Sequence, residues 1–213
     1  MKHIKMKRIL SRLALLSVAL ILGLVSCKEG SNTIAGHEYV DLGLPSGLKW
    51  ATCNVGAATP EEYGNYYAWG KTMPRIKDSY EYMSKSYLNV GDISGNATYD
   101  AARANWGATW RMPTIDEMEE LAVKCTWTWS TQSGTNGYTV TGPNGNSIFL
   151  PAAGFYFGAS QDDVDERGYY WSSNPYDNIK EYACLYFGFD GKNKRLGIGG
   201  RSFGGLTIRP VSD

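Results

Sequence analysis

Helical periodicity is confined to two short stretches of this 213-residue chain, and that limits its fold more than any other feature. The stronger stretch is residues 114–124. Ile115, Met118, Leu121 and Ala122 fall on one face at helical spacing, Thr114 and Glu117 have the spacing of a capping box, and Pro113 precedes them. The weaker is residues 98–106. The remainder reads as short strands punctuated by turn residues. Residues 38–44 and 47–52 flank Pro45-Ser46. Residues 138–141 and 147–150 flank Pro143-Asn144-Gly145-Asn146, where Asn-Gly predicts a type I′ hairpin turn. Residues 182–189 and 195–198 flank Asp190-Gly191. Residues 206–211 form a closing strand, half-buried because Leu206, Ile208 and Pro210 alternate with Thr207 and Arg209. The expectation is a small α+β domain with two short helices, a twisted antiparallel sheet and long loops.

Residues 1–26 stand apart from that pattern. Lys2, Lys5, Lys7, Arg8 and Arg12 precede an apolar run over residues 13–25. A spanning helix needs about 20 apolar residues, so this run has the length of a signal-peptide core and is left out of the fold. It ends in Leu24-Val25-Ser26-Cys27, which resembles the bacterial lipobox. In such signals the cysteine receives a diacylglycerol and becomes the new N-terminus, so Cys27 is the expected lipid attachment site. Lipid burial contributes about 0.8 kcal/mol per CH₂, and several acyl chains make a firm membrane anchor. Residues 27–36 read as the lipidated cysteine and a flexible tether, and residues 37–213 as a single domain. Lys28-Glu29 is a short version of the charged stretch that directs Bacteroidetes-type lipoproteins to the outer face of the cell. The expected location is the cell envelope, as an outer-membrane lipoprotein.

Charge and histidine content narrow the function. The five basic residues of the first 26, set against no acidic ones, turn 21 against 21 into 16 against 21 in the mature chain, a net charge of −5. Nucleic acid is therefore not an expected partner. Beyond residue 26 the sole histidine is His37, which excludes a histidine-rich zinc site and restricts any nucleophile–histidine pair to that residue. With Cys27 lipidated, Cys53, Cys125 and Cys184 remain, and two arrangements stand: a Cys53–Cys125 disulfide with one free thiol, or three reduced cysteines.

Six phrases in order carry a family resemblance. They are VDLGLPSGLKWAT from Val40, YGNYYAWG from Tyr63, WGATWRMPT from Trp106, NSIFLPAAG from Asn146, YWSS from Tyr170 and GLTIRPV from Gly205. Together they resemble the Fibrobacter succinogenes major paralogous domain, common in Bacteroidetes lipoproteins and similar to the C-type-lectin-like superfamily. The resemblance implies a C-type-lectin-like fold, with a loop-rich face opposite joined termini. It implies no defined activity. The calcium-dependent lectins carry Glu-Pro-Asn or Gln-Pro-Asp and then Trp-Asn-Asp; this chain has only Ser173-Asn174-Pro175, without the carboxylate. The similar formylglycine-generating enzyme needs two neighbouring C-terminal cysteines, and Cys184 stands alone. The chain is therefore expected not to be an enzyme and to need no cofactor. The run Asp162, Asp163, Asp165 and Glu166 reads either as a solvated loop or as a weak calcium site.

Arg111 and Arg209 read as structural arginines hydrogen-bonded to loop carbonyls, with an anion clamp as the other reading. Trp127 and Trp129 alternate on one strand and read as buried against the helix, with a sugar platform as the other reading. Trp50, Trp69, Trp106 and Trp110 read as core. The C-terminal third is rich in Tyr, Asn and Gly, the residues of adaptable binding surfaces. Its candidate ligand-binding residues are Tyr169, Tyr170, Trp171, Asn174, Tyr176, Asp177, Asn178, Lys192, Asn193, Arg195 and Arg201. The expected function is non-catalytic recognition of a glycan or a surface protein. The alternatives are a subunit of an envelope or fimbrial assembly, or a variable target protein of a diversity-generating retroelement.

Overall fold

The computed structural model describes residues 32–75, 90–176, 183–201 and 204–213. Cys27, the segment expected to be a signal peptide and the first part of the expected tether lie outside them. Ser31–Asp213 forms one compact unit. Its architecture is mixed and mostly β, with two helices among the described residues, as an α+β fold requires.

Both helices start where side chains satisfy their orphan amides. Helix α1 (Ala101–Trp106) is capped by Asp100, whose carboxylate accepts from the Arg103 amide, and it ends at Gly107, which has φ of 67°. Asp100 is fully buried and also accepts from the amides of Gly95 at 2.7 Å and Met112 at 2.9 Å, so one carboxylate ties three segments together. Burial pushes its pKa up, against the pull of those N–H groups. Helix α2 (Ile115–Lys124) has the expected capping box between Thr114 and Glu117, and it buries Met118 and Leu121. Arg111 pairs with Glu117 and with Asp213. Its guanidinium donates to these carboxylates and to the Ser94 hydroxyl, in place of the loop carbonyls expected for it.

The expected single sheet is instead four small ones. Strands β1 (Thr33–Ile34), β2 (His37–Asp41), β3 (Lys49–Ala51) and β12 (Val211–Ser212) form the first, with both ends of the domain paired through β3. Pairing thus begins at Thr33, inside the segment expected to be tether. Strands β4 (Thr126–Gln132), β5 (Thr135–Thr141) and β6 (Ser147–Pro151) form the second. Strands β7 (Phe155–Phe157) and β8 (Ser160–Asp162) pair alone. Strands β9 (Arg167–Pro175), β10 (Ala183–Asp190) and β11 (Lys194–Arg201) form the fourth, in the order β11-β10-β9.

Turn chemistry explains part of the difference. Ala35-Gly36 and Ser133-Gly134 both have two consecutive positive φ values, the signature of type I′ turns, and join β1 to β2 and β4 to β5. The Asn144-Gly145 turn is not of that type. Of its residues Gly145 alone has positive φ, at 87°, and its amide donates to the Gly142 carbonyl. Pro143 accounts for this, because its ring holds φ negative and starts the turn one residue earlier.

The closing segment also departs from the expected half-buried strand. Residues 205–212 are buried without alternation. The segment threads between sheets, bridging Tyr67 at Leu206 and Tyr170 at Thr207 before it pairs in β12. Arg209 is 1% exposed there and donates to the carbonyls of Ala51 and Phe149 and to Asn54 Oδ1 at 2.8–3.0 Å. It is the structural arginine expected, although burial depresses its pKa. Two aromatic-rich cores result. One gathers Trp50, Leu121, Tyr138, Phe187 and Phe189; the other gathers Tyr67, Trp69, Met112, Trp171 and Ile208. Trp110 is buried, whereas Trp106 is half-buried and stacks on His37 at 3.8 Å.

Candidate functional site

Strand parity separates the candidate residues from one another. Successive side chains of a strand point to opposite faces, so Tyr169 and Trp171 share one face of β9 and Tyr170 takes the other. Tyr170 is 1% exposed, and its hydroxyl donates to the Pro151 carbonyl at 2.7 Å. Burial pushes its pKa up to about 12. Trp171 is also 1% exposed, with its indole N–H on the Tyr67 carbonyl at 2.7 Å. Both were expected on a binding surface and both are buried, with their polar atoms bonded inside; Tyr170 belongs to the core, whereas Trp171 also borders the cleft on its face of β9. Asn174 serves the fold too. Its Oδ1 accepts from the Ile115 amide at the start of α2, and its Nδ2 donates to Asp92.

The other candidates scatter. Tyr176 is half-buried. Asp177 and Asn178 lie outside the described residues, as does the Arg201 side chain. Lys192 and Asn193 are exposed at the β10–β11 turn, where the Asp190 carboxylate accepts both their amides at 2.8 Å. Those bonds hold the Asp190 pKa below the usual carboxylate range. Arg195 is exposed on β11.

A cleft of about 320 Å³ lies on the Tyr169 face, lined by Phe155, Phe157, Tyr169, Trp171, Tyr186 and Leu206, with Gly204 at its edge. Its rings meet edge to face: Phe155 and Tyr169 at 5.3 Å, Tyr169 and Tyr186 at 5.7 Å. The Tyr169 hydroxyl donates to Asp163 at 2.8 Å. The β7 residues were absent from the sequence-based candidates. The signal that could have found them is the aromatic run Phe155-Tyr156-Phe157, whose first and third rings face the cleft. On the opposite side, Tyr156 lines a smaller pocket of about 210 Å³ with Tyr66 and Arg75.

Other candidate groups resolve into structure. Asp165 accepts from the Tyr63 hydroxyl and the Asn136 amide, Asp163 pairs with Arg167, and Asp162 accepts from Ser160. The acidic carboxylates therefore diverge, and among the described residues no group of three His, Cys, Asp or Glu side chains converges for a metal. Cys53 and Cys125 are not bonded to one another; Cys53, Cys125 and Cys184 are all free. Burial pushes the Cys125 thiol up to about 11 and the Cys184 thiol up to about 12, which keeps both unreactive. Trp127 donates to the Leu121 carbonyl at the end of α2, and both Trp127 and Trp129 pack on Tyr138 and Phe189. They are core-side rings, as the helix-packed reading expected. No helix among the described residues is long and apolar enough to cross a membrane.

No known family, curated protein or solved structure matches the chain.

Proposed function

We propose that the protein is a cell-envelope lipoprotein, anchored through lipid on Cys27, whose C-type-lectin-like domain binds a glycan without chemical conversion. The observation that carries this reading is the aromatic cleft beside β9 and β10. Ligand clefts run from about 300 to 1,000 Å³ and combine apolar walls with a few placed polar groups. A sugar ring offers an apolar C–H face and a polar rim, and tyrosine offers the complement of both. The pairing of both ends of the domain through β3 and the two short helices suit the lectin-like reading of the sequence motifs. His37 is engaged by Trp106 and does not line the cleft.

The test is a glycan-array screen of Ser31–Asp213, with and without calcium. Reproducible binding to one sugar class that weakens in Tyr186→Ala is the expected result. Binding that survives Tyr186→Ala places the site elsewhere, and no binding under either condition removes the glycan reading.

A further inference from the structure

The glycines of β10 and β11 decide what the cleft presents. Tyr186 pairs across the sheet with Gly197 and with Trp171, so all three share a face. A Cβ at Gly197 would stand 2.4 Å from Tyr186 Cζ and 2.5 Å from Cε2. The tyrosine ring therefore lies down across the neighbouring strand, in the space the missing side chain leaves open. A Cβ at Gly188, on the same face, would stand 3.0 Å from that ring and 3.4 Å from Tyr169. The result is a ring laid over the sheet as a floor, with its other side toward the cleft and Tyr169 rising as a wall.

Arg167, Asp190 and Arg195 all project from this face, and the Asp190 carboxylate is taken up by the Lys192 and Asn193 amides of the turn. Arg195 pairs with Gly188, which pairs with Tyr169, so the guanidinium projects on the cleft side of the sheet. Neighbouring strands are about 4.8 Å apart, well within the reach of an arginine. Arg195 is exposed and belongs to none of the ion pairs among the described residues. The acid beside the cleft, Asp163, is already held by Arg167 at 3.2 Å and by the Tyr169 hydroxyl.

We infer that the cleft is selective for an acidic sugar: the laid-down ring of Tyr186 takes the apolar face of the pyranose, and Arg195 takes its carboxylate. This rests on the glycan-binding reading and names the class of glycan. Arginine suits the task because its planar fork meets a carboxylate through two parallel N–H bonds.

Calorimetric titration of the full chain in detergent micelles tests it. The probes are oligomers of galacturonate, glucuronate and sialic acid, each beside its neutral methyl ester. The acid form of at least one is expected to bind about tenfold or more tightly than its ester, and more weakly as salt rises. Arg195→Gln is expected to lose about ten- to a hundredfold for the acid and much less for the ester, while Arg195→Lys recovers part of the loss. Gly197→Ala, which displaces the ring, is expected to weaken acid and ester alike. Equal binding of acid and ester, or an Arg195→Gln variant with unchanged preference, overturns the acidic-sugar inference and leaves the glycan reading standing. Equal binding of poly-glutamate also overturns it. Failure of every glycan, acidic or neutral, instead sinks the glycan-binding reading itself.

Discussion

The two faces of the β11-β10-β9 sheet use the same device and come to different ends. On one face Phe189 lies over Gly168, where a Cβ would stand 2.1 Å from its ring; on the other Tyr186 lies over Gly197. In both places a glycine across the ladder lets an aromatic ring lie flat. The Phe189 face is then covered by Trp127, Trp129 and Tyr138 and becomes core. The Tyr186 face meets Phe155 and Leu206 from other segments, which stop short and leave the cleft. The side chains of a strand fix what each face offers. Whether a face becomes core or site depends on what the rest of the chain lays against it.

The largest effect expected from this contrast is alkaline unfolding. Tyr170, Cys125 and Cys184 have folded pKa values raised to about 12, 11 and 12 by burial. A raised folded value means that the neutral form is preferred inside. That contribution is complete below the unfolded values, near 10 for tyrosine and 9 for cysteine, and is lost as pH rises through the folded ones. Circular dichroism and tyrosinate absorbance recorded together should show the covered tyrosines ionising only as the fold is lost, between about pH 10 and 12. Ionisation of every tyrosine with the fold intact would break the contrast. A thiol reagent at pH 8 should label half-buried Cys53 first and reach Cys125 and Cys184 only after denaturation.

Truncation should divide the faces by energy. Phe189→Ala is expected to cost about 3–5 kcal/mol in denaturant unfolding, because the packed site cannot collapse around the hole. Trp171→Ala should cost a similar amount of about 3–5 kcal/mol, although its ring borders the cleft, because its indole N–H is committed to Tyr67. Tyr186→Ala should cost no more than about 1.5 kcal/mol, since its ring is half-buried. Equal costs for Phe189→Ala and Tyr186→Ala would mean that both faces are core. Smallest of all, Arg195→Gln should change stability by less than about 0.5 kcal/mol, as an exposed side chain without a partner among the described residues.

Local chemistry was legible from the residues alone. Thr114 and Glu117 start α2 because their side chains reach each other's amides within four residues of chain. Asp190-Gly191 turns β10 into β11 because the aspartate accepts the amides that follow it. Arg209 could be read as structural because an arginine inside an apolar segment needs carbonyl partners. Tertiary structure alone decided which of Tyr169 and Tyr170 is buried, for adjacent residues of identical chemistry differ only in the face they take. It also decided that the closing segment threads through the interior, and that β7, β9, β10 and Leu206 meet around one cleft. These outcomes rest on contacts between residues far apart in sequence, and no local pattern of polar and apolar positions encodes which distant segment will cover a given face.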